Sequence, residues 1–431
     1  MADWRQRKLH FIGIGGAGMS GLALVCHQRG ATVSGSDRSE SSYVERLRAA
    51  GLRPAIGHDA AQVPDDAEVV VTTAIADDNL ELAVARERGQ RIIHRGELLA
   101  ELCAERRLLA IAGTHGKTTT TAMAVWALRA AGADPAFFLG GEMPGAGPGG
   151  GDSNAGWGEG DWVIAEADES DASFLRLRPE MAVITNIEMD HHTRWGSLAE
   201  LRDAFRRFAA AADGVASGPG GLDLDPERQR VVGFDERSPG PANLRLSVPG
   251  RHNVLNARAA LAGLRLAGFD EDAAAAALAE FPGVRRRLEL KGQRNGARIY
   301  DDYAHHPTEV RAALEALREL GPRRLLAVFQ PHLYSRTKAF ADELGEALSL
   351  ADEVGVLDIY PAREQPVGEL AGVSGLQVAA AAADRSGGRP VWWLVDAQGA
   401  HAALEPRLKE GDVLVTLGAG DVFRLAEALV E

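Results

Sequence analysis

The run Ala110-Ile111-Ala112-Gly113-Thr114-His115-Gly116-Lys117-Thr118-Thr119-Thr120-Thr121 has the residue types that hold a polyphosphate. Its glycines let backbone N–H groups approach an anion, the following helix start favours negative charge, and Lys117 adds a full positive one. Thr118 stands where a P-loop hydroxyl binds Mg²⁺. Only Thr114 and His115 separate Gly113 from Gly116, so the loop is shorter than the usual pattern. An ordinary strand-to-helix turn with an incidental Lys is the competing reading. A second glycine turn, Gly13-Ile14-Gly15-Gly16-Ala17-Gly18, has the G-x-G-x-x-G form, with Asp37 at the end of the next strand. Such a turn suits a pyrophosphate and such an acid a ribose, although close helix–strand packing alone also asks for these glycines.

Acids and imidazoles recur at strand ends. Glu166-Ala167-Asp168-Glu169-Ser170-Asp171 follows one apolar run, and Glu188-Met189-Asp190-His191-His192 follows another. Hard oxygen donors beside phosphates suit Mg²⁺; a solvated acidic loop and structural histidines are the alternatives. Four more clusters follow later apolar runs: Asp301 to His306, Gln330 to Thr337, Asp358 to Glu364 and Leu417 to Asp421. Four clusters at equivalent strand ends argue for a shared crevice. Asp301 or Asp302 as a helix-start residue, and Arg336 as a surface charge, remain open. Asn253 and Asn256 sit at a helix start, where Asn usually caps.

The elements that must carry these groups alternate between strand and helix. Strands are predicted at 9–12, 31–34, 69–74, 92–95, 108–112, 162–165 and 182–187, with helices at 19–27, 122–130 and 257–266. Five further strands are predicted at 297–300, 325–329, 354–357, 391–394 and 413–416, with helical patterns between them, as in βαβ units of a parallel sheet. The tract Gly145 to Gly151 is expected to be irregular, and residues 209–249 are short of pattern and rich in Gly and Pro. The predicted fold class is α/β with three domains: 1–103, Rossmann-like and nucleotide-holding; 104–281, central and of the P-loop ATPase type; and 282–431, a C-terminal Rossmann-like α/β domain.

Composition bounds the rest. The 431 residues are 45% hydrophobic and 25% charged, enough to bury a large core. A net charge of −14 argues against a nucleic-acid binder and leaves no basic stripe for a membrane surface. Cys26 and Cys103 fit no metal spacing or disulfide framework and suit a reducing compartment. Residues 1–8 are polar, with no signal-peptide pattern after them, so the expected location is cytoplasmic.

Taken in order, these motifs resemble the Mur ligase family of peptidoglycan synthesis nearly end to end. The resemblance rests on HFIGIGGAGMS (10–20), GTHGKTTTT (113–121), EADESDASFL (166–175), TNIEMDH (185–191), GRHNVLNA (250–257), DDYAHHPTE (301–309), FQPHLYSRT (329–337) and DIYPARE (358–364). It implies an ATP-dependent ligase. ATP phosphorylates the lactyl carboxylate of UDP-N-acetylmuramate, and the amine of L-alanine attacks the acyl phosphate. The family further implies that Gly113, Thr114, His115, Gly116, Lys117, Thr118 and Thr119 bind ATP, with Asn253 and Asn256 toward adenine. Thr118, Glu166 and His191 would hold Mg²⁺, two ions, with Mn²⁺ able to substitute. Gly15, Gly16, Ala17 and Gly18 would meet the UDP pyrophosphate, Asp37 the uridine side, and Thr72 and Ala74 the same substrate. Tyr303, His305, His332 and Arg336 would face the amino acid and acyl phosphate. Lys117, His191, His305 and Arg336 form the implied catalytic set.

Three rivals stay in view. A related recycling ligase attaches a preformed tripeptide to the same UDP-sugar; FQPHLYSRT and DIYPARE speak for alanine. An NAD-dependent oxidoreductase would leave the phosphate loop unused. A P-loop switch protein would leave the C-terminal clusters unexplained. The expected partners are small molecules, with no nucleic acid or membrane, on a monomer or homodimer. Residues 209–249 are expected to be shorter than the matching stretch of the family, and His192-Thr193-Arg194-Trp195 departs from its commoner pattern.

Overall fold

A computed structural model describes the chain apart from residues 1–2, 148–149, 191–193, 223, 238–240, 363 and 431. It contains three α/β sheets, two of them in one compact unit (Met1–Ser247 with Leu255–Pro282) and the third in another (Val248–Val254 with Gly283–Glu431).

In the first sheet, β1 (Lys8–Ile12), β2 (Thr32–Asp37), β3 (Ala55–Ile56), β4 (Glu68–Val71) and β5 (Ile92–His94) run parallel in the order β3-β2-β1-β4-β5. Helices α1 (Ala17–Gln28), α2 (Ser42–Ala49), α3 (Leu80–Glu87) and α4 (Arg95–Cys103) connect them. The order reverses at β1, so the glycine turn after β1 opens at the point where α/β sheets leave a crevice. Arg95, predicted to end a strand, instead begins α4, because His94 caps that helix by accepting from the Gly96 N–H.

The second sheet comprises β6 (Arg107–Ala112), β7 (Ala136–Met143), β8 (Ser153–Gly156), β9 (Trp162–Glu166), β10 (Met181–Ile184), β11 (Gly214–Ser217) and β12 (Arg230–Gly233), ordered β12-β11-β10-β6-β9-β7-β8. Among the described strands of this sheet β8 alone is antiparallel to its neighbour. Its helices are α5 (Lys117–Ala130), α6 (Leu198–Ala209), α7 (Arg251–Leu266) and α8 (Glu271–Ala277). Leu108 to Ala112 are fully or nearly fully buried, as the unbroken apolar run of a two-sided parallel strand demands. Each fully buried Leu or Ile there contributes roughly 1.5–3 kcal/mol. Strands β11 and β12 lie inside the stretch expected to lack pattern. The β12 backbone pairs with β11, but its side chains are mostly exposed, so no apolar signature was required.

The third sheet holds β13 (Glu289–Arg294), β14 (Ala297–Asp302), β15 (Leu325–Phe329), β16 (Glu353–Val356), β17 (Val391–Trp393) and β18 (Val413–Leu417), ordered β13-β14-β18-β15-β16-β17, with β13 antiparallel. Helices α9 (Pro307–Glu319), α10 (Tyr334–Leu348), α11 (Gly375–Arg385), α12 (Ala397–Leu404) and α13 (Phe423–Val430) complete this unit. Asp301 and Asp302 belong to β14 rather than to a helix start; His306 caps α9 in a capping box with Glu309. Among the described residues no helix is long and apolar enough to cross a membrane.

Candidate active site

The ends of β6, β9 and β10 bring three chemistry-bearing segments together, since β6 lies between β9 and β10. After β6, Gly113 and Gly116 adopt φ of +139° and +81°, which disfavours any side chain. Space forbids one as well: a Cβ at Gly113 would strike the Thr185 hydroxyl, and one at Gly116 the Asn256 amide. Gly116 starts α5 with no side-chain cap, and Gly16 starts α1 likewise, whereas Ser41, Asn79 and Ser197 cap α2, α3 and α6. Uncapped first-turn N–H groups are free to meet an anion.

The loop is braced from β10. Thr185 Oγ1 donates to His115 O at 2.6 Å, Asn186 Oδ1 accepts from His115 N at 3.0 Å, and Thr114 N donates to Asn186 O at 3.1 Å. Thr114 Oγ1 bonds the Glu188 backbone, and His115 Nε2 lies 2.9 Å from Glu188 Oε2. The sequence points Glu188 to His192 toward a metal and puts Thr185 and Asn186 in a strand; in the structure Thr185, Asn186 and Glu188 hold the phosphate loop. No local signal announces that role, because it arises from the approach of two strands.

Lys117 is enclosed. Its Nζ donates to Gly113 O at 2.6 Å and Thr114 O at 3.2 Å and lies 2.7 Å from Glu169 Oε2. Burial would lower its pKa, but the Glu169, Asp168 and Glu166 carboxylates outweigh that and hold the ammonium above its ordinary value. Glu166 is the opposite case. Burial raises its pKa against the pull of Lys117, a Gly140 N–H at 2.7 Å and the Thr118 hydroxyl. Asp168 lies well below the usual carboxylate range, because Arg95 and Lys117 overcome its burial. Arg95 Nη2 reaches Asp168 at 2.6 Å and Asp171 at 2.7 Å. Asn256 stands against the loop, its Oδ1 3.4 Å from the Thr120 hydroxyl, while Asn253 donates to Pro249 O at 2.7 Å. Thr119 is buried in the first turn of α5. His191 lies outside the described residues.

At the first glycine turn, the Gly13 and Ile14 N–H groups both donate to Ser36 O, at 2.8 and 2.9 Å, and Gly15 N donates to Asp37 Oδ2 at 2.8 Å. Asp37 therefore shapes the turn with one oxygen, and its other accepts from Ser39 N at 3.2 Å. A Cβ at Gly15 would lie 2.7 Å from Val44 and 2.9 Å from Asp37. Ala17 and Gly18 open α1. Thr72 and Ala74 form a turn just past β4, with Ala74 N donating to Thr72 Oγ1 at 3.3 Å.

In the second unit, Tyr303, His305, His332 and Arg336 form one chain of contacts. The Tyr303 and His305 rings are 5.4 Å apart and those of His305 and His332 5.8 Å. Arg336 Nη1 lies 3.2 Å from His332 Nδ1; guanidinium can only donate, so Nδ1 is the acceptor and the neutral ring carries its proton on Nε2. Arg336 is buried rather than a surface charge. Two members were missed. Tyr360 stacks on His332 at 5.8 Å, and Arg286 supports Tyr303 at 5.0 Å while bonding Asp301 and Gly418 O.

Three family models match in order: "Mur ligase family, catalytic domain" over residues 8–107, "Mur ligase middle domain" over 111–216 and "Mur ligase, glutamate ligase domain" over 286–420. The chain belongs to the Mur ligase family. Within it, the chain is 44% identical to a UDP-N-acetylmuramate–L-alanine ligase of Mycolicibacterium vanbaalenii, covering 98% of this chain and 96% of that one. It is 43% identical to the protein of the same name from Rubrobacter xylanophilus, covering 98% and 99%. The crystal structure of UDP-N-acetylmuramate–alanine ligase from Thermotoga maritima superposes with a TM-score of 0.83 at 30% identity, covering 98% of each chain. A murein peptide ligase from Psychrobacter arcticus superposes with 0.73 at 25% identity, again covering 98% of each. The M. vanbaalenii alignment runs over 475 positions, more than the 431 residues here, so that relative carries insertions this chain lacks.

Proposed function

We propose that this chain joins L-alanine to the lactyl carboxylate of UDP-N-acetylmuramate at the expense of ATP, in peptidoglycan precursor synthesis. The observation that carries this is full-length likeness, at 43% and 44% identity, to proteins named for that reaction. The enclosed Lys117 and the Tyr303–Arg336 chain supply residues suited to its two halves.

A carboxylate attacking a phosphoryl group brings two anions together, so charge neutralisation matters more than a covalent nucleophile. Lys117 leaves the Gly113 and Thr114 carbonyls to steady the β- and γ-phosphates, and the uncapped first turn of α5 adds backbone N–H donors. Asn256, beside Gly116, faces the nucleotide; Asn253 is assigned with it by family likeness. Thr118, Glu166 and His191 would hold the magnesium, as two ions, with manganese able to replace it. The hydroxyl of Thr118 on the half-buried carboxylate of Glu166 fits a hard divalent cation. Such a cation, when bound, supplies the positive charge that lets the carboxylate approach the phosphate. Gly15, Gly16, Ala17 and Gly18 cradle the UDP pyrophosphate, with Asp37, Thr72 and Ala74 along the same substrate. Tyr303, His305, His332 and Arg336 receive the amino acid and the acyl phosphate.

The domain bounds 1–103, 104–281 and 282–431, a cytoplasmic location, and a monomeric or homodimeric state belong to this reading. Its chemistry is tested by trapping. With ATP, UDP-N-acetylmuramate and hydroxylamine but no alanine, the acyl phosphate should yield a hydroxamate of the UDP-sugar. Absence of hydroxamate under conditions that release phosphate would remove the acyl-phosphate step.

A further inference from the structure

Beneath the first glycine turn lies a buried polar cluster that the reaction does not use. Glu81, in the first turn of α3, is completely buried, and His10 on β1 is nearly so. Glu81 Oε2 accepts from Ser36 Oγ at 2.6 Å and faces His10 Nε2 at 3.2 Å; His10 Nδ1 lies 2.9 Å from Ser34 Oγ. Glu81 Oε1 accepts from Asp59 N at 3.2 Å, with His58 Nδ1 at 3.5 Å, and the Gln62 amide donates to it at 3.0 Å when its oxygen and nitrogen are exchanged, the orientation that satisfies both. The Ser36 hydroxyl also meets His58 Nδ1 at 2.9 Å. A carboxylate removed from water is costly unless every lone pair finds a donor, and here β1, β2 and the segment after β3 all turn groups toward it. Those donors outweigh burial and hold the Glu81 pKa below its ordinary value.

Ser36 is the link to the ligand side. Its side chain is fastened to Glu81, and its carbonyl accepts the N–H groups of both Gly13 and Ile14. The next residue, Asp37, accepts from Gly15 N. The glycine turn thus hangs by three backbone N–H groups from the end of β2, two on the Ser36 carbonyl and one on the Asp37 carboxylate, and the Ser36 side chain at that end, whose backbone pairs with β1 and β3, is fastened to one buried carboxylate.

We infer that Glu81 is a positioning residue for the sugar nucleotide: through Ser36 it fixes the end of β2, and thereby the glycine turn that meets the pyrophosphate. The inference rests on the proposed UDP-sugar role of that turn. Glu81 itself touches no substrate.

The test is a double-mutant cycle on Glu81→Gln and Ser36→Ala, read as KM and kcat for each substrate. Each single variant should raise the UDP-N-acetylmuramate KM about tenfold, the scale of one lost charge-assisted hydrogen bond, with ATP KM and saturating kcat within about twofold. The double variant should be no worse than the poorer single one, because both cut the same link. A general loss of folded protein lowers kcat and leaves KM unmoved, so that pattern, or additive penalties, overturns the inference. Gly15→Ala separates the underlying reading. If it leaves UDP-sugar affinity intact, the turn is not the pyrophosphate site. If it weakens that affinity while the cycle is silent, the turn stands and the role of Glu81 falls. Should Glu81→Gln fail to fold, Ser36→Ala alone decides by the same KM criterion.

Discussion

The Lys117 ammonium is held by the Gly113 and Thr114 carbonyls and by Glu169, and in the proposed reaction it turns from them to the phosphates. Lys117→Ala should reduce kcat for amide formation by about 10³-fold, the scale of removing one preorganised charge from a phosphoryl transfer. In the proposed reaction Arg336 stands on the amino-acid side. Arg336→Ala should raise the L-alanine KM about tenfold or more while the KM values for ATP and UDP-sugar stay within about twofold, measured by initial rates. An equal rise for all three substrates would point to a folding defect instead.

At the scale of elements, the phosphate loop depends on the meeting of β6, β10 and α7. Gly116→Ala adds a Cβ where the Asn256 amide stands and forces a side chain onto φ +81°, a conformation costing about 1–2 kcal/mol before any collision. The expected result is a lower Tm and a raised ATP KM with alanine KM unaffected. The end of β14 offers a pH signature. Asp302 is buried, accepts from the Leu288 and Ala304 N–H groups at 2.7 Å each, and has its pKa pushed up to about 6 by burial. A raised carboxyl pKa means that the folded state binds the extra proton. Its contribution is fully present below about pH 4 and is lost as pH rises through about 6. Wild type should therefore lose on the order of 2 kcal/mol relative to Asp302→Asn between pH 4 and 8, in urea titrations. A constant offset across that range would contradict the assignment.

The elements also separate what sequence can carry from what it cannot. Strands such as Leu108–Ala112 and Leu325–Phe329 were legible because two-sided burial demands unbroken apolar runs. The β11–β12 pair was not: β12 is an exposed edge strand that needs only backbone pairing, and the buried β11 is a four-residue run of Gly, Val, Ala and Ser with little apolar signature. The helix starts at Ala17, Lys117 and Arg251 lie earlier than periodicity placed them, because glycine turns and hydroxyls precede the apolar stripe. For the candidate site, glycines, Lys117 and the acids at strand ends were visible as local patterns. Thr185 on the loop carbonyl, Glu81 under Ser36 and Tyr360 on His332 were invisible, because each contact joins segments whose nearness is decided by sheet order.

At the scale of the whole molecule, the two nucleotide sites of the proposed reaction stand on different sheets. The glycine turn follows β1 of the first sheet and the phosphate loop follows β6 of the second. Lys117→Ala should therefore leave the calorimetric affinity for UDP-N-acetylmuramate within about twofold, since among the described residues the bonds of the first turn run to Ser36 and Asp37 and not to Lys117. Loss of that affinity in a folded variant would contradict the division of labour. Phosphate release from ATP in the presence of UDP-N-acetylmuramate, with L-alanine, with a tripeptide, or with neither, decides the proposed reaction. L-alanine should stimulate turnover strongly and the tripeptide not at all. Stimulation by the tripeptide alone, or turnover indifferent to both sugar and amino acid, would contradict it.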